Sequence, residues 1–304
     1  MADAWSPEEI MTEQQAVLLI EEQFPKLIPA RVELLGEGFD NTVFTVNDDY
    51  VFRFPRRSMA VELLRAERRL LPRIAPLLPI AIPEPLFAGS PSGGFPWLFL
   101  GYKKVNGQTP SNLTREERLQ SVEPLARFLR ELHQFPVEQA GLLGVPKDEL
   151  GRLNLVKRKP KLLANLEKLH KLGLYSKLAN IVQFAEGLPE DGSDSTEAAL
   201  VHGDLHIRNI LVDSKGAISG VIDWGDVHIG HPALDLSLVY SFFPSEGRER
   251  FFELYGEVSE RWKQLAQFKA IYTLVLLLLY GHDLQDENII RDCQASLSGI
   301  LEES

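Results

Sequence analysis

The sequence predicts an α+β chain of two lobes, a small strand-rich lobe followed by a larger, mainly helical one. Three observations carry that expectation. At 304 residues the chain exceeds the ~150 that serve as a per-domain guide. The first third holds period-two alternation of apolar residues. After Gly107 the apolar period changes to that of long helices. The break falls at Lys103, Lys104, Val105, Asn106 and Gly107, giving lobes over 1–105 and 106–304.

The first lobe opens on residues 31–46, RVELLGEGFDNTVFTV, where an apolar run and a glycine pair precede Val43 and Thr45 alternating with Phe44 and Val46. Asn47, Asp48 and Asp49 supply a turn, and Tyr50, Val51, Phe52, Arg53 and Phe54 return as the second arm of a hairpin. A helix rich in Leu, Arg and Glu follows over about 61–74 and stops near Pro76. Prolines punctuate 79–96 around short strands, and an apolar run at 97–102 ends the lobe.

In the second lobe Thr114, Arg115, Glu116 and Glu117 match a capping box. Val122, Leu125, Ala126, Leu129 and Leu132 then recur on one helical face. A second helical stretch covers roughly 158–185 and ends in a polar loop at 186–197. Two short β-like runs, 210–212 and 218–222, precede a mainly helical remainder from Pro232. The apolar stretch 271–281 is shorter than the ~20 residues that span a bilayer, so it reads as a buried core helix.

Composition narrows the function. An apolar fraction of 44% and a charged fraction of 25% exclude collagen and low-complexity disorder. The 32 basic and 43 acidic residues leave a net charge of −11, which repels phosphate backbones and argues against a nucleic-acid partner. Cys293 stands alone, so neither an internal disulfide nor a thiolate cluster is available. A reducing cytoplasm fits that usage. Residues 1–10 lack the basic segment and apolar run of a secretory signal.

The chemistry concentrates in His202, Gly203, Asp204, Leu205, His206, Ile207, Arg208 and Asn209, followed by Asp223, Trp224 and Gly225. Phosphoryl transfer needs a carboxylate to orient the acceptor hydroxyl and take its proton. It also needs an amide oxygen and a second carboxylate to hold Mg²⁺ on the nucleotide phosphates. Asp204 to Asn209 has the spacing of the kinase catalytic loop, and Asp223 stands where the D-F-G aspartate would. Mg²⁺ keeps several waters, so few protein oxygens suffice. A second reading is a dinuclear phosphoesterase, because Gly203 to His206 and Gly225 to His228 both spell G-D-x-H; that centre would need several further His and Asp ligands. A non-catalytic nucleotide-binding module is a third, against which the joint presence of Asp204, Asn209 and Asp223 argues. The P-loop pattern is absent.

These motifs resemble the aminoglycoside phosphotransferase family, which includes macrolide phosphotransferases and shares the protein-kinase-like fold. The resemblance spans about residues 31–245 and is most specific at LVHGDLHIRNILV, VIDWGD and HPALDL. Ile207 and Arg208 depart from the Pro-Gly or similar pair that usually precedes the Asn. The resemblance implies Asp204 as catalytic base, Asn209 and Asp223 as Mg²⁺ ligands, and His202 and Asp235 as supports of the loop. His206 would touch the γ-phosphate or make a loop hydrogen bond. The first lobe would bind ATP or GTP. There Gly36, Glu37, Gly38, Phe39, Asp40 and Asn41 would form the nucleotide loop, Gly36 and Gly38 letting backbone amides approach the phosphates and tolerating φ > 0. Arg53 would stand in place of the usual Lys, paired with Glu67 or Glu62.

Leu35, Leu211 and Ile222 would sandwich the base, with the Lys103 carbonyl and the Val105 amide facing its edge. Tyr102 would be the gatekeeper, crowding N6 of adenine and favouring GTP. The acceptor would be a small-molecule hydroxyl, on an aminoglycoside or macrolide antibiotic, or on a metabolite such as choline, homoserine or a sugar. Asp226, His228, Tyr280 and Asp283 are the candidate lining groups. No membrane partner is expected.

Overall fold

The computed structural model describes residues 7–190 and 197–301. The sequence readings of 1–10 and of the loop at 186–197 therefore fall partly outside the described residues.

The chain begins with α1 (Glu13–Gln23), whose start is fixed by a capping box between Thr12 and Gln15. Strands β1 (Val32–Glu37), β2 (Asn41–Val46) and β3 (Tyr50–Pro55) follow, then α2 (Ser58–Ile74), β4 (Pro85–Gly89) and β5 (Phe99–Lys103). They form an antiparallel sheet in the order β1-β2-β3-β5-β4. Alternation splits its two faces. One face carries Phe44, Phe52, Phe54, Phe87 and Phe99 into a core completed by α1. On the other, Arg53 lies opposite Leu100 and Val51 opposite Tyr102, which places Arg53 and Tyr102 beside α2. Gly101 is required by this packing, since a Cβ there would sit 2.4 Å from the Phe52 ring.

In the second lobe the expected helix after Thr114 is two, α3 (Arg115–Leu119) and α4 (Val122–His133). The capping box is present at Thr114. A short α5 (Val137–Leu142) follows. The stretch expected over 158–185 is likewise two helices, α6 (Leu155–Lys171) and α7 (Leu178–Gly187). Gly173, at φ +67°, lies in the link between them, a conformation that ends a helix cheaply only at glycine.

Four short strands carry the loops that matter: β6 (Ala199–Val201), β7 (Ile210–Val212), β8 (Ile218–Val221) and β9 (His228–Gly230). β6 pairs with β9 and β7 with β8. The sequence signalled β7 and β8, which flank the turn at residues 213–216, and not β6 and β9, which pair across a long separation in sequence. Helices α8 (Ala233–Phe242), α9 (Ser245–Tyr255), α10 (Glu260–Asp283) and α11 (Glu287–Leu301) complete the lobe. Among the described residues α10 is the one helix long and apolar enough to cross a membrane, and 56% of its apolar window is buried inside the protein. Its Leu274, Val275 and Leu278 belong to the main core with Leu236 and Leu238 of α8.

The connection between lobes is pinned rather than loose. Gln108 exchanges backbone hydrogen bonds with Val212, at 2.9 and 2.8 Å. Val105 packs so closely on Gly220 that a Cβ at that glycine would lie 2.5 Å from it. The β7–β8 hairpin thereby fixes the segment that joins the two lobes.

Candidate active site

Strand β6 is buried throughout and delivers the chain to His202 in the core. The backbone there is held by one carboxylate. Asp235, on the first turn of α8, accepts the His202 amide at 2.7 Å and the Gly203 amide at 2.9 Å. His133 Nε2 lies 3.2 Å from the same carboxylate, and the Tyr255 hydroxyl is 2.7 Å from His133 Nδ1. Burial opposes the Asp235 charge, yet the His133 hydrogen bond, the neighbouring histidines and the Gly203 amide hold its carboxyl below the ordinary range. His202 lies 2.9 Å by its Nε2 from the Ile222 carbonyl, and its ring meets Trp224 edge-on at 4.9 Å. Gly203 sits at φ +86°, where a Cβ would fall 2.4 Å from the Asp226 carbonyl.

These restraints present Asp204 at the cleft with its side chain 39% exposed. His206 Nε2 is 3.4 Å from its Oδ2 and Lys269 Nζ, from α10, is 3.9 Å from its Oδ1. Burial would raise the carboxyl, but the His206 hydrogen bond, with Lys269 and His202 nearby, holds it well below the usual range. Asp204 is therefore an anion at neutral pH. His206 accepts the Arg208 amide through Nδ1 at 3.3 Å, so both its nitrogens serve the loop.

Asn209 donates its amide nitrogen to the Asp204 carbonyl at 2.9 Å, and its backbone carbonyl accepts the Ile222 amide at 2.9 Å. That stitch brings Asp223 beside the loop. Asp223 takes the left-handed conformation, φ 61° and ψ 68°, and leaves its side chain 58% exposed. With the Asn209 nitrogen engaged, its oxygen and the Asp223 carboxylate are hard donors of the kind Mg²⁺ takes, the remaining positions falling to water and phosphate. The residues fit the ion.

Across the cleft, Arg53 Nη1 lies 3.2 Å from both oxygens of Glu67, and its Nη2 lies 3.2 Å from Asp223 Oδ1. Tyr102 donates its hydroxyl to Glu67 at 3.0 Å. Glu67 is buried, which pushes its carboxyl up, while Arg53 and Tyr102 pull it back. Glu62, the other candidate partner, pairs instead with Arg65 on the surface. Lys103 ends β5, and the Val105 amide makes no hydrogen bond among the described residues. Leu35 is exposed at the register shift of β1, Leu211 is buried, and Ile222 is half-buried.

Gly36 and Gly38 both keep φ outside the left-handed region. Open space is what Gly36 contributes, with nothing within 4 Å of a Cβ there. Arg56 ties the loop by hydrogen bonds to Glu37 and to the Gly38 carbonyl at 3.3 and 3.2 Å.

The acceptor-side candidates separate. Asp226 closes on Arg152, which also holds Asp148 at 3.0 Å. His228 does not reach the surface. It is 2% exposed, and its Nδ1 lies 2.7 Å from the Asp226 carbonyl. Packing between Gly203 and Gly230 explains why no larger residue stands at either glycine. Tyr280 is exposed beneath the Arg208 guanidinium, 5.3 Å from its ring centroid. Asp283 is exposed at the end of α10. Lys269, Arg152, His133 and Tyr255 were missed by sequence reasoning. Only Lys269 carried a signal, as a lone cation in an otherwise apolar helical run. Among the described residues no group of three His, Cys, Asp or Glu could hold a metal ion, so the two G-D-x-H segments do not assemble the ligand set of a dinuclear phosphoesterase.

The sequence profile of the phosphotransferase enzyme family matches residues 31–268. The chain belongs to that family. As a phosphotransferase it is 26% identical over 281 residues to the uncharacterised protein YcbJ of Bacillus subtilis, covering 84% of this chain and 87% of that one. Viomycin phosphotransferase of Streptomyces vinaceus is 42% identical over a shorter stretch of 62 residues, 19% of this chain and 22% of that protein. The GDP complex of aminoglycoside 2'-phosphotransferase-IIIa superposes with a TM-score of 0.67 at 27% identity, covering 96% and 99% of the two chains. Macrolide 2'-phosphotransferase type I superposes at 0.58 and 20% identity, covering 95% and 98%. The phosphotransferase thus has the kinase-like fold expected of it.

Asp235 has a measurable signature. Its folded carboxyl titrates below its unfolded value, so its stabilisation is present above the ordinary Asp value of ~3.9 and fades as pH falls through the folded one. Asp235→Asn should cost about 3–5 kcal/mol at neutral pH, the scale of breaking a buried pair. It should also flatten the loss of stability below that range in denaturant titrations at stepped pH. An unchanged acid slope would remove Asp235 from this role.

Proposed function

We propose that the phosphotransferase moves the γ-phosphoryl of ATP or GTP to a hydroxyl of a small molecule. The observation that carries the reading is the convergence of Asp204, Asn209, Asp223 and the Arg53–Glu67 pair on one cleft between the lobes. Asp204, ionised, orients the acceptor hydroxyl and receives its proton as the oxygen bonds to the γ-phosphorus. The bond from that phosphorus to the bridging oxygen breaks, and the nucleoside diphosphate leaves with the electron pair. Asn209 and Asp223 would hold Mg²⁺, which when bound neutralises phosphate charge. Arg53, kept in place by Glu67, supplies a permanent cation to the phosphates. His202 and Asp235 keep the loop rigid, and 1–105 serves as the nucleotide lobe with 106–304 as the catalytic and acceptor lobe. Dependence on nucleotide triphosphates favours the cytoplasm as its place of action.

Kinship with aminoglycoside and macrolide phosphotransferases supports an antibiotic acceptor. The cations beside Asp204 favour the second reading, a metabolite kinase on the same scaffold. Asp204→Asn should leave folding and nucleotide binding intact while lowering transfer by roughly 10²–10⁴-fold, the usual contribution of a positioned general base. Near-normal turnover would take Asp204 out of the mechanism.

We further propose a preference for GTP. The hydroxyl bond to Glu67 holds the Tyr102 ring on the α2 side of the sheet, which supports the reading that a ring held there crowds N6 of adenine. Guanine can shift outward and meet other groups of the Lys103–Val105 segment. Removing the ring with Tyr102→Ala should improve ATP use relative to GTP by about tenfold, equivalent to ~1.4 kcal/mol, whereas Tyr102→Phe, which keeps the ring but loses the hydroxyl bond that fixes it, should lose only part of the preference. Equal use of both nucleotides by the unaltered enzyme and by Tyr102→Ala would end the gatekeeper account.

A further inference from the structure

One face of α10 stands open beside Asp204. At 100° per residue Lys269, Tyr272, Leu276 and Tyr280 fall along a single stripe. Leu276 is 42% and Tyr280 47% exposed, on a helix whose other faces feed the core. The stripe is apolar and aromatic along its length and cationic at its margins. Lys269 lies at the end nearest Asp204. Arg158, from α6, stands over the Tyr272 ring at 5.8 Å, and Arg208 over Tyr280 at 5.3 Å.

None of these three cations has a carboxylate of its own among the described residues. Lys269 shares the catalytic Asp204 at 3.9 Å. Arg158 donates to the Gly151 and Leu150 carbonyls at 3.1 and 3.0 Å. Arg208 keeps Nη1 buried with no hydrogen-bond partner. The carboxylates that could have balanced them, Asp148 and Asp226, are closed on Arg152. The chain as a whole carries −11, so a cationic rim here runs against its overall charge. A polyammonium acceptor placed against Asp204 would meet Lys269 beside that carboxylate and Arg158 over the adjoining Tyr272 ring.

Resting on the phosphotransferase reading of Asp204, we propose that the acceptor is a hydroxylated organic anion with an aromatic or aliphatic body. Its anionic group meets Lys269 and Arg158, at the end of the stripe nearest Asp204, its body lies on Tyr272 and Leu276, and its hydroxyl reaches Asp204. Transfer proceeds as before: the acceptor oxygen bonds to the γ-phosphorus, its proton passes to Asp204, and the nucleoside diphosphate departs. A hydrogen bond or ion pair to a charged group is worth ~1.5–3 kcal/mol, or about 10–100-fold in affinity.

The test uses the full chain with Mg²⁺ and a non-hydrolysable GTP analogue, and measures binding of two probes of equal size by calorimetry. Phenyllactate carries a ring, a hydroxyl and a carboxylate; phenylalaninol carries the same ring and hydroxyl with an ammonium. Phenyllactate should bind at least about tenfold more tightly, in line with one such contact. Arg158→Gln should erase most of that difference and Arg158→Lys should retain part of it, with circular dichroism reporting that each variant folds. Equal binding, tighter binding of phenylalaninol or of kanamycin, or no binding of phenyllactate would overturn the proposal. So would a preference that survives Arg158→Gln in the folded protein together with Lys269→Gln. Failure of the underlying reading registers separately, as nucleotide turnover undiminished by Asp204→Asn.

Discussion

The active site depends on one buried carboxylate accepting two consecutive backbone amides. Asp235 holds the amides of His202 and Gly203, and the Asn209 bond to the Asp204 carbonyl closes the loop that presents Asp204. An unpaired buried carboxylate would be costly, so the His133 and Tyr255 contacts on its far side are part of the same device. They stabilise the charge that fixes the loop. The glycine at 203 follows from this geometry, since the turn imposed by Asp235 leaves no room for a Cβ beside the Asp226 carbonyl and His228.

The second organising interaction crosses between lobes. Arg53 is anchored in the first lobe by Glu67 and reaches Asp223 in the second. Both carboxylates share one guanidinium, and the planar fork of Arg can serve them together where a lysine ammonium would have to choose. A bound nucleotide with Mg²⁺ would exchange this arrangement for phosphate on the arginine and metal on Asp223. The groups are thus already assembled around the charge they would receive. The same economy holds for Tyr102, whose hydroxyl both relieves the buried Glu67 and fixes the ring behind the base.

What the sequence revealed follows from how local each signal is. The meeting of Asp204, Asn209 and Asp223 in one cleft was legible because it is written in spacing over a few residues and an intervening hairpin. Arg53 and Glu67 were legible once a strand and a helix could be aligned, and the pair does form. The lobes and the hairpin strands followed from period. The breaks within 114–133 and 158–185 did not, because helical periodicity runs through them and only the turns at residues 120–121 and 172–177 end the hydrogen bonding. His228 misled because G-D-x-H looks alike at 203–206 and 225–228, yet β9 turns the second copy inward. Lys269 and Arg158 escaped notice for the opposite reason. They come from α10 and α6, distant in sequence from the loop, and only folding brings them beside Asp204 and the α10 stripe.

The central claim is that Asn209 and Asp223 receive a metal-bound nucleotide on a loop fixed by Asp235. Calorimetric titration of a non-hydrolysable GTP analogue, with and without Mg²⁺, tests it most directly in the unaltered enzyme and in Asp223→Ala. The account predicts that Mg²⁺ tightens binding to the unaltered enzyme and that the tightening is lost in the variant, while metal-free affinity changes little. Equal tightening in both proteins, or none in either, would contradict it.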